Sequence, residues 1–219
     1  MRTLRAMALV AGGLLWLAAA SPAFAQSGPT RDDIVAKLDK YQSDLELDVP
    51  ALRQQVTERS KSRGKNEPPP QKRTAIAPDL NKLPTFNVDI TFDVDTPIVQ
   101  PESYQTVGRI ADAMVHSSLL PYTFVIVGHI EANGRREANA ILSQRRADAI
   151  REILVNTFKI SAKRIQSIGL GEEQFLDRAR PTAASNGQMQ ILTWSKVPDE
   201  PAPTASPAPA AKKKPAKKR

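Results

Sequence analysis

The stretch that decides the fold is residues 128–147, Gly-His-Ile-Glu-Ala-Asn-Gly-Arg-Arg-Glu-Ala-Asn-Ala-Ile-Leu-Ser-Gln-Arg-Arg-Ala. A continuous apolar run precedes it at residues 124–127, which is typical of a central strand covered on both faces. We expect the strand to end at Gly128, a loop to carry the Glu131 carboxylate, and a helix to begin just past Gly134. The stretch therefore predicts a buried strand, a loop and a helix in succession.

The helix after Gly134 carries an arginine on its apolar side. At about 100° per residue, one arc of the helical wheel holds Leu142, Ala147, Ala149, Ile150, Ile153 and Leu154. Arg146 lies in the middle of that arc, and Arg145 lies on its edge. Because a guanidinium keeps its charge, Arg146 must either reach out of the core or meet an anion.

Two interpretations of Arg146 remain open at this point. In the first, Arg146 reaches solvent or forms an internal ion pair with Glu131, and its role is structural. In the second, the two residues form a small notch for a zwitterion. Arg146 then grips a carboxylate through its two-pronged guanidinium, and Glu131 accepts an ammonium.

The segments around this stretch predict an α/β fold, an α+β sandwich of two layers. Residues 86–94 alternate between apolar and polar side chains, as a half-buried strand does. Pro101 starts a helix with an apolar stripe of Tyr104, Val107, Ala111, Met114 and Val115. The helix after Gly134 is expected at residues 136–156, and further strands at 164–170 and 188–194. The element order is βαβαββ.

The N-terminus predicts secretion. Residues 1–25 combine a positively charged start, an almost wholly apolar run at 6–20 and a small-residue end, which is the pattern of a cleaved signal peptide. We expect cleavage after Ala25. An uncleaved membrane anchor is the alternative, because the apolar run approaches the roughly 20 residues that span a bilayer.

Four further segments divide the rest of the chain. Residues 26–60 are predicted to form a helical N-terminal appendage, with helices at 30–47 and 48–59, packed or mobile, or used for oligomerisation. Residues 61–84 are Pro-rich and predict a semi-rigid linker. Residues 85–196 form the compact domain, and residues 197–219 predict a disordered Pro/Ala/Lys tail.

Composition excludes several classes of function. The formal net charge is +8, but six of the last eight residues are Lys or Arg, so the basicity belongs to the tail and not to a nucleic-acid-binding face. The chain has no cysteine and two histidines, which leaves little material for a lipoprotein anchor, a disulfide or a metal site. No catalytic or cofactor motif is present, so the sequence predicts a protein that is not an enzyme and needs no cofactor.

Residues 128–147 resemble the signature of the OmpA-like C-terminal domain. That signature reads roughly Gly-His-Thr-Asp, two residues, Gly, four residues, Asn, two residues, Leu-Ser, two residues, Arg-Ala. The matching residues are Gly128, His129, Gly134, Asn139, Leu142, Ser143, Arg146 and Ala147. The flanks are similar as well, in Ile90-Thr91-Phe92-Asp93 with Pro101 and in Ile168-Gly169-Leu170-Gly171-Glu172.

The resemblance implies a mixed four-stranded sheet backed by helices and non-covalent binding of the diaminopimelate-bearing peptide of peptidoglycan. It assigns ligand binding to Glu131 and Arg146, with supporting roles for His129, Gly134, Asn139, Leu142 and Ser143. It also implies a periplasmic protein of the bacterial cell envelope, associated with the outer membrane or the cell wall. Peptidoglycan is the expected partner, and outer-membrane or other envelope proteins are further candidates.

The chain departs from the family pattern at three places. Ile130 stands where the family has Thr, Glu131 stands where it has Asp, and Gly187-Gln188 stand where it has two arginines. These departures leave an alternative open, an envelope scaffold or interaction module that keeps the fold and has lost peptidoglycan binding. The basic tail is expected to touch anionic polymers loosely and no specific nucleic acid.

Overall fold

The computed structural model describes residues 28–41, 45–62 and 67–197. The predicted signal peptide and all of the predicted tail beyond Val197 lie outside these residues. The helices and strands, in chain order, are α1 (Arg31–Leu38), α2 (Val49–Lys61), β1 (Thr85–Val88), α3 (Tyr104–Met114), β2 (Tyr122–His129), α4 (Arg136–Glu152), β3 (Ile165–Gly171) and β4 (Met189–Lys196).

The four strands form one mixed sheet in the order β1-β4-β2-β3. Strand β2 runs parallel to β3 and antiparallel to β4, and β1 is antiparallel to β4. Residues 123–129 of β2 are all buried, as its apolar run predicts for an interior strand. The predicted mixed four-stranded α/β fold is confirmed.

The two faces of the sheet have different covers. Phe124 and Ile126 of β2 point to the helix face, where α1, α3 and α4 pack. Val125 and Val127 point to the opposite face, where α2 packs together with the 3-10 turn Pro78–Lys82. Helices α1, α3 and α4 therefore cover one face, and α2 with the turn Pro78–Lys82 covers the other.

The close seating of α4 on the sheet depends on small residues. A Cβ at Gly128 would overlap the backbone of Ser143, and a Cβ at Gly169 would overlap the backbone of Gln144. The side of α4 that faces the sheet carries Ala140, Ser143, Ala147 and Ile150, all buried. Helix and strands meet at this distance because neither side presents a bulky side chain.

This seating corrects the predicted position of Arg146. The wheel placed Arg146 in the middle of the buried arc, but that prediction is wrong, because the buried arc is centred on Ser143 and Ala147. Arg146 lies at the boundary of the arc and is half-buried. Leu142, which the wheel placed in the arc, is only partly buried. The helical wheel was oriented by the large apolar residues of the helix. In the structure, the small residues of α4 face the sheet, because they pack against Gly128 and Gly169.

The described N-terminal segments, residues 28–41, 45–62 and 67–83, form a strap around the domain. Helix α1 begins with a capping box between Thr30 and Asp33 and packs beside α3 on the helix face. The chain then passes the end of the sheet, where Thr193 Oγ1 donates to Leu38 O at 2.7 Å and Trp194 Nε1 donates to Leu45 O at 2.7 Å. Helix α2, capped by Asp48, follows beside α4 and β3.

The predicted linker is not a free spacer in its second half. Ala77, Leu80 and Leu83 are buried against the sheet, and the backbone N–H of Ala77 donates to Gln174 Oε1 at 3.0 Å. The prediction of an extended spacer is therefore wrong for this part of residues 61–84. Three apolar residues at intervals of three supply enough buried surface to dock the segment.

Strand β3 lies at one edge of the sheet, and side chains bond its outward backbone groups. Arg151 Nε donates to Ile165 O at 2.8 Å, and Arg53 Nε of the strap donates to Ser167 O at 2.9 Å. The backbone N–H groups of Gly169 and Gly171 donate to side chains of α4, those of Gln144 and Ser143. Helix α4 and the strap thus satisfy four backbone groups of this edge.

Three predicted elements end earlier in the structure than the sequence indicates. Strand β1 ends at Val88 and not at residue 94, and Val94 is 88% exposed at a turn that leads to Asp95. Helix α1 ends at Leu38 and not at residue 47. Helix α4 ends at Glu152 and is followed by one π-helical turn, Ile153–Thr157.

Candidate functional site

The loop between β2 and α4, residues 130–135, is held in place by buried hydrogen bonds. His129 is buried beneath it, with Nδ1 2.9 Å from Gln174 O and Nε2 2.9 Å from Gln190 Oε1. The backbone N–H of Ala132 donates to Pro181 O at 2.9 Å. Gly134 turns the chain into α4 with φ +82°, a conformation that glycine adopts without strain.

Asn139 connects this loop to the domain beneath it. Its Nδ2 lies 3.4 Å from Glu131 O, 2.7 Å from Asn133 Oδ1 and 2.6 Å from Glu172 Oε1. Ser143 Oγ accepts from the backbone N–H of Gly171 at 2.9 Å, which fixes the start of α4 against β3. Both side chains are buried, so they act as supports for the loop.

Arg146 reaches from α4 to the loop that follows β1. Its Nε donates to Thr96 O at 3.0 Å, one Nη lies 3.5 Å from Asp93 O, and the guanidinium stacks over the Phe92 ring at 4.8 Å. Burial lowers the pKa of Arg146, and the nearby negative charges of Glu131 and Asp95 oppose that shift. These contacts orient the guanidinium while leaving donors on its outer edge.

Glu131 lies on the other side of the site, against a glycine. A Cβ at Gly187 would come within 2.6 Å of Glu131 Oε2, so the carboxylate occupies space that a larger residue at position 187 would need. Among the residues that the structure describes, the Glu131 carboxylate forms no ion pair and accepts no hydrogen bond. The internal ion pair with Arg146, the structural alternative, is therefore not formed.

The sequence reasoning missed an ion pair at the rim of the site. Arg135 donates to both oxygens of Asp95, at 2.9 and 2.7 Å, and these hydrogen bonds hold the pKa of Asp95 below its usual value. A cavity of about 320 Å³ adjoins the pair and is also lined by Asn139, Leu142 and Arg145. A carboxylate at a strand exit was visible in the sequence, but its arginine partner was not.

The predicted site residues therefore divide into three groups. Glu131 and Arg146 are partly exposed, Leu142 and the buried Asn139 line the neighbouring cavity, and His129, Gly134 and Ser143 shape and support the loop. Ile130 is 3% exposed, so its side chain belongs to the core and does not line the site. In residues 28–41, 45–62 and 67–197, no three His, Cys, Asp or Glu side chains are grouped to hold a metal ion.

The segment that contains this site matches a known protein family. The model of the OmpA family matches residues 91–188, which include the whole site. Residues 91–188 form an OmpA-family domain. The strap and strand β1 precede the matched segment.

Relatives of the OmpA-family domain include envelope proteins. The chain is 33% identical over 98 residues to outer membrane porin F of Pseudomonas aeruginosa, covering 44% of this chain and 27% of the porin. It is 33% identical over 114 residues to the peptidoglycan-associated lipoprotein of Agrobacterium fabrum, covering 51% of this chain and 58% of the lipoprotein. The chain thus matches about a quarter of the porin and just over half of the lipoprotein.

A solved structure with a similar fold is the cell wall anchor of the T6SS from Pseudomonas aeruginosa, at 25% identity and a TM-score of 0.42, covering 51% of this chain and 79% of that one. Across the described part of the chain, no helix is both long enough and apolar enough to cross a membrane.

His129 gives the OmpA-family domain a predicted sensitivity to acid. Burial lowers the pKa of His129 below its ordinary value of 6.5. Between the lowered pKa and 6.5, the unfolded chain binds a proton that the folded chain does not, so acid favours unfolding. We expect Tm to fall when the pH is lowered from about 7.5 to about 5, and His129→Gln to reduce that fall.

Thermal unfolding at several pH values measures this effect. His116→Gln, which changes the other histidine, is the matched control and should keep the full decrease. An unchanged decrease in His129→Gln would assign the acid sensitivity to other groups.

Proposed function

We propose that the OmpA-family domain binds the stem peptide of peptidoglycan without covalent chemistry, and that diaminopimelate is the residue it recognises. Arg146 binds a carboxylate of diaminopimelate, and Glu131 accepts its ammonium. One observation carries the proposal. Arg146 and Glu131 form no ion pair among the described residues, although the charge of Glu131 acts on Arg146 and a hydrogen bond to Thr96 O orients the Arg146 guanidinium.

The geometry at Arg146 suits recognition of a carboxylate. Contacts with the carbonyls of Thr96 and Asp93 and with the Phe92 ring use one side of the guanidinium and fix its plane. The remaining N–H groups are available for a two-pronged contact with a carboxylate. Because Arg146 is half-buried, such a contact is screened less by salt than a surface ion pair is.

The proposal includes a location in the cell envelope. A signal peptide cleaved after Ala25 would deliver the protein to the periplasm, where residues 85–196 serve as the wall-binding unit. Since the chain has no cysteine for a lipid anchor, association with the outer membrane would be indirect. The basic tail would add loose, salt-sensitive contacts with anionic polymers.

Co-sedimentation with purified sacculi tests the proposal. The protein should pellet with sacculi that contain diaminopimelate, and free diaminopimelate should release it. Lysine is the matched competitor, because it has the same carbon chain without the second carboxylate, and it should release much less protein. Binding that neither amino acid releases would favour the alternative, an envelope interaction module that does not recognise this residue.

Removal of the Glu131 carboxylate should separate binding from stability. Glu131→Ala is expected to weaken sacculus binding by roughly tenfold, because an ammonium loses its anion. Its Tm should stay within about 2 °C of the unmodified protein, since no described residue pairs with this carboxylate. Binding isotherms and thermal scans measure both effects.

Glu137→Ala is the control for this change, because Glu137 is exposed on α4 and should affect neither measurement. A large loss of Tm in Glu131→Ala with intact binding would show a structural carboxylate and contradict the assignment.

A further inference from the structure

A buried ionic cluster joins the strap to the OmpA-family domain. The strap contributes Arg59, Glu67 and Arg73, and the domain contributes Arg136, Glu172 and Glu173. The three arginines and three glutamates balance in charge. Glu173 is fully buried and Glu172 nearly so, which makes the cluster a part of the interior and not a set of surface pairs.

The first part of the cluster fixes the start of α4. Arg136 donates to both oxygens of Glu173, at 2.5 and 2.8 Å, and also pairs with Glu67 of the strap. Arg59 of α2 meets Glu173 Oε2 at 2.9 Å. A buried charge is costly unless it is paired, so these residues hold α2 and α4 together.

The second part of the cluster leads to the binding loop. Arg73 of the strap lies 3.6 Å from Glu172 Oε2, and the other oxygen of Glu172 accepts from Asn139 Nδ2 at 2.6 Å. Asn139 is the side chain that contacts Glu131 O and Asn133 Oδ1 in the loop. A continuous series of polar contacts therefore connects Arg73 to the backbone of Glu131.

We propose that the strap is a positioning element for the peptidoglycan site, and that Arg73 acts on Glu131 through Glu172 and Asn139. This inference rests on the proposed function. When the strap is docked, the positive charge of Arg73 lies beside one oxygen of Glu172 while the other oxygen accepts from Asn139, and Asn139 keeps the loop in its binding geometry. When the strap is released, Glu172 loses its cation and the loop loses a support.

The connection works in both directions. If a docked strap favours the binding geometry, a bound ligand must favour the docked strap by the same factor. Sacculus binding and the docking of residues 67–83 are thus coupled. A partner that undocks the strap would lower the affinity of the domain for peptidoglycan. Bound peptidoglycan would, in turn, make undocking of the strap less favourable.

Substitutions of the strap residue test the coupling. Arg73→Gln should weaken sacculus binding roughly fivefold, measured well below its Tm, since residues in one polar network are energetically coupled. Arg73→Lys, which keeps the positive charge, should restore most of the affinity. Arg53→Gln is the matched control, because Arg53 also fastens the strap but contacts β3 and not the series that leads to Glu131.

Measuring affinity and Tm separately shows whether Arg73 positions the binding loop or only stabilises the fold. Arg53→Gln should lower Tm and leave affinity unchanged, whereas Arg73→Gln should change affinity at a temperature where both variants are folded. Glu172→Gln removes the charge of the domain residue that pairs with Arg73 and keeps nearly the same side-chain shape. Its affinity for sacculi tests the same coupling if Arg73→Gln does not fold.

Each outcome has a defined meaning. Equal affinity in the unmodified protein, Arg73→Gln and Glu172→Gln would overturn the coupling while leaving the proposed function intact. Equal weakening by Arg53→Gln and Arg73→Gln would reduce the strap to general support and also overturn it. Absence of sacculus binding by the unmodified protein would instead contradict the proposed function.

Discussion

Replacing Arg146 by alanine should abolish the binding of the protein to sacculi. Removal of one charged partner from a fixed, desolvated pair typically costs about 2–5 kcal/mol, a loss of roughly 30-fold or more. Arg146 meets the conditions for such a loss, because its guanidinium is half-buried and oriented by Thr96 O and the Phe92 ring. Co-sedimentation at several protein concentrations measures the change.

Arg145→Ala is the matched control for this prediction. Arg145 is the adjacent residue on the same helix, is exposed and lines the neighbouring cavity. Its removal should leave sacculus binding within about twofold. Equal losses in the two variants would show that binding depends on general positive charge, and no loss in either would place the ligand elsewhere.

Replacing Glu173 by alanine should strongly destabilise the protein. Glu173 is fully buried and binds Arg136, whose side chain is 8% exposed, and Arg59. Removal of one partner from a buried ion pair costs about 3–5 kcal/mol, because the other charge remains buried without compensation. In a domain of this size, we expect a decrease in Tm of roughly 6–20 °C.

Thermal unfolding of Glu173→Ala and Glu137→Ala compares a buried with an exposed glutamate of the same region. The exposed residue should change Tm by less than about 2 °C. A small effect of Glu173→Ala would mean that Arg136 finds another partner or reaches solvent. The ionic cluster would then not be the link that holds the strap.

Local patterns in the sequence were sufficient for the sheet and for the helix α4. The apolar run before Gly128 predicted an interior strand, and the structure places β2 between β4 and β3. The helix after Gly134 was expected at residues 136–156 and forms at Arg136–Glu152 with one π-helical turn beyond it. Such features depend on neighbouring residues and so appear in periodicity.

The exact surroundings of Arg146 could not be obtained in this way. A helical wheel ranks residues by apolar character, but the sheet selects its neighbours on α4 by size, through Gly128 and Gly169. The wheel therefore gave Arg146 too deep a position. Its hydrogen bond to Thr96 O joins residues 50 positions apart, which no local pattern contains.

The ionic cluster was missed for the same reason. Arg59 and Arg73 lie in segments whose composition indicates an appendage and a linker, while their partner carboxylates follow β3 about 100 positions later. One local signal was available, the interval of three between Ala77, Leu80 and Leu83. It favours a docked segment over a free spacer, and the run of prolines before it outweighed it in the prediction.

The hydrogen-bonded edge of β3 has a consequence for contacts between copies of the protein. An open sheet edge is a template for strand addition and aggregation. At β3, the carbonyls of Ile165 and Ser167 already accept from Arg151 and Arg53, so an incoming strand would have to break these bonds before it could pair. These hydrogen bonds therefore disfavour polymerisation by strand addition at the β3 edge. On the strap, the residue responsible is Arg53.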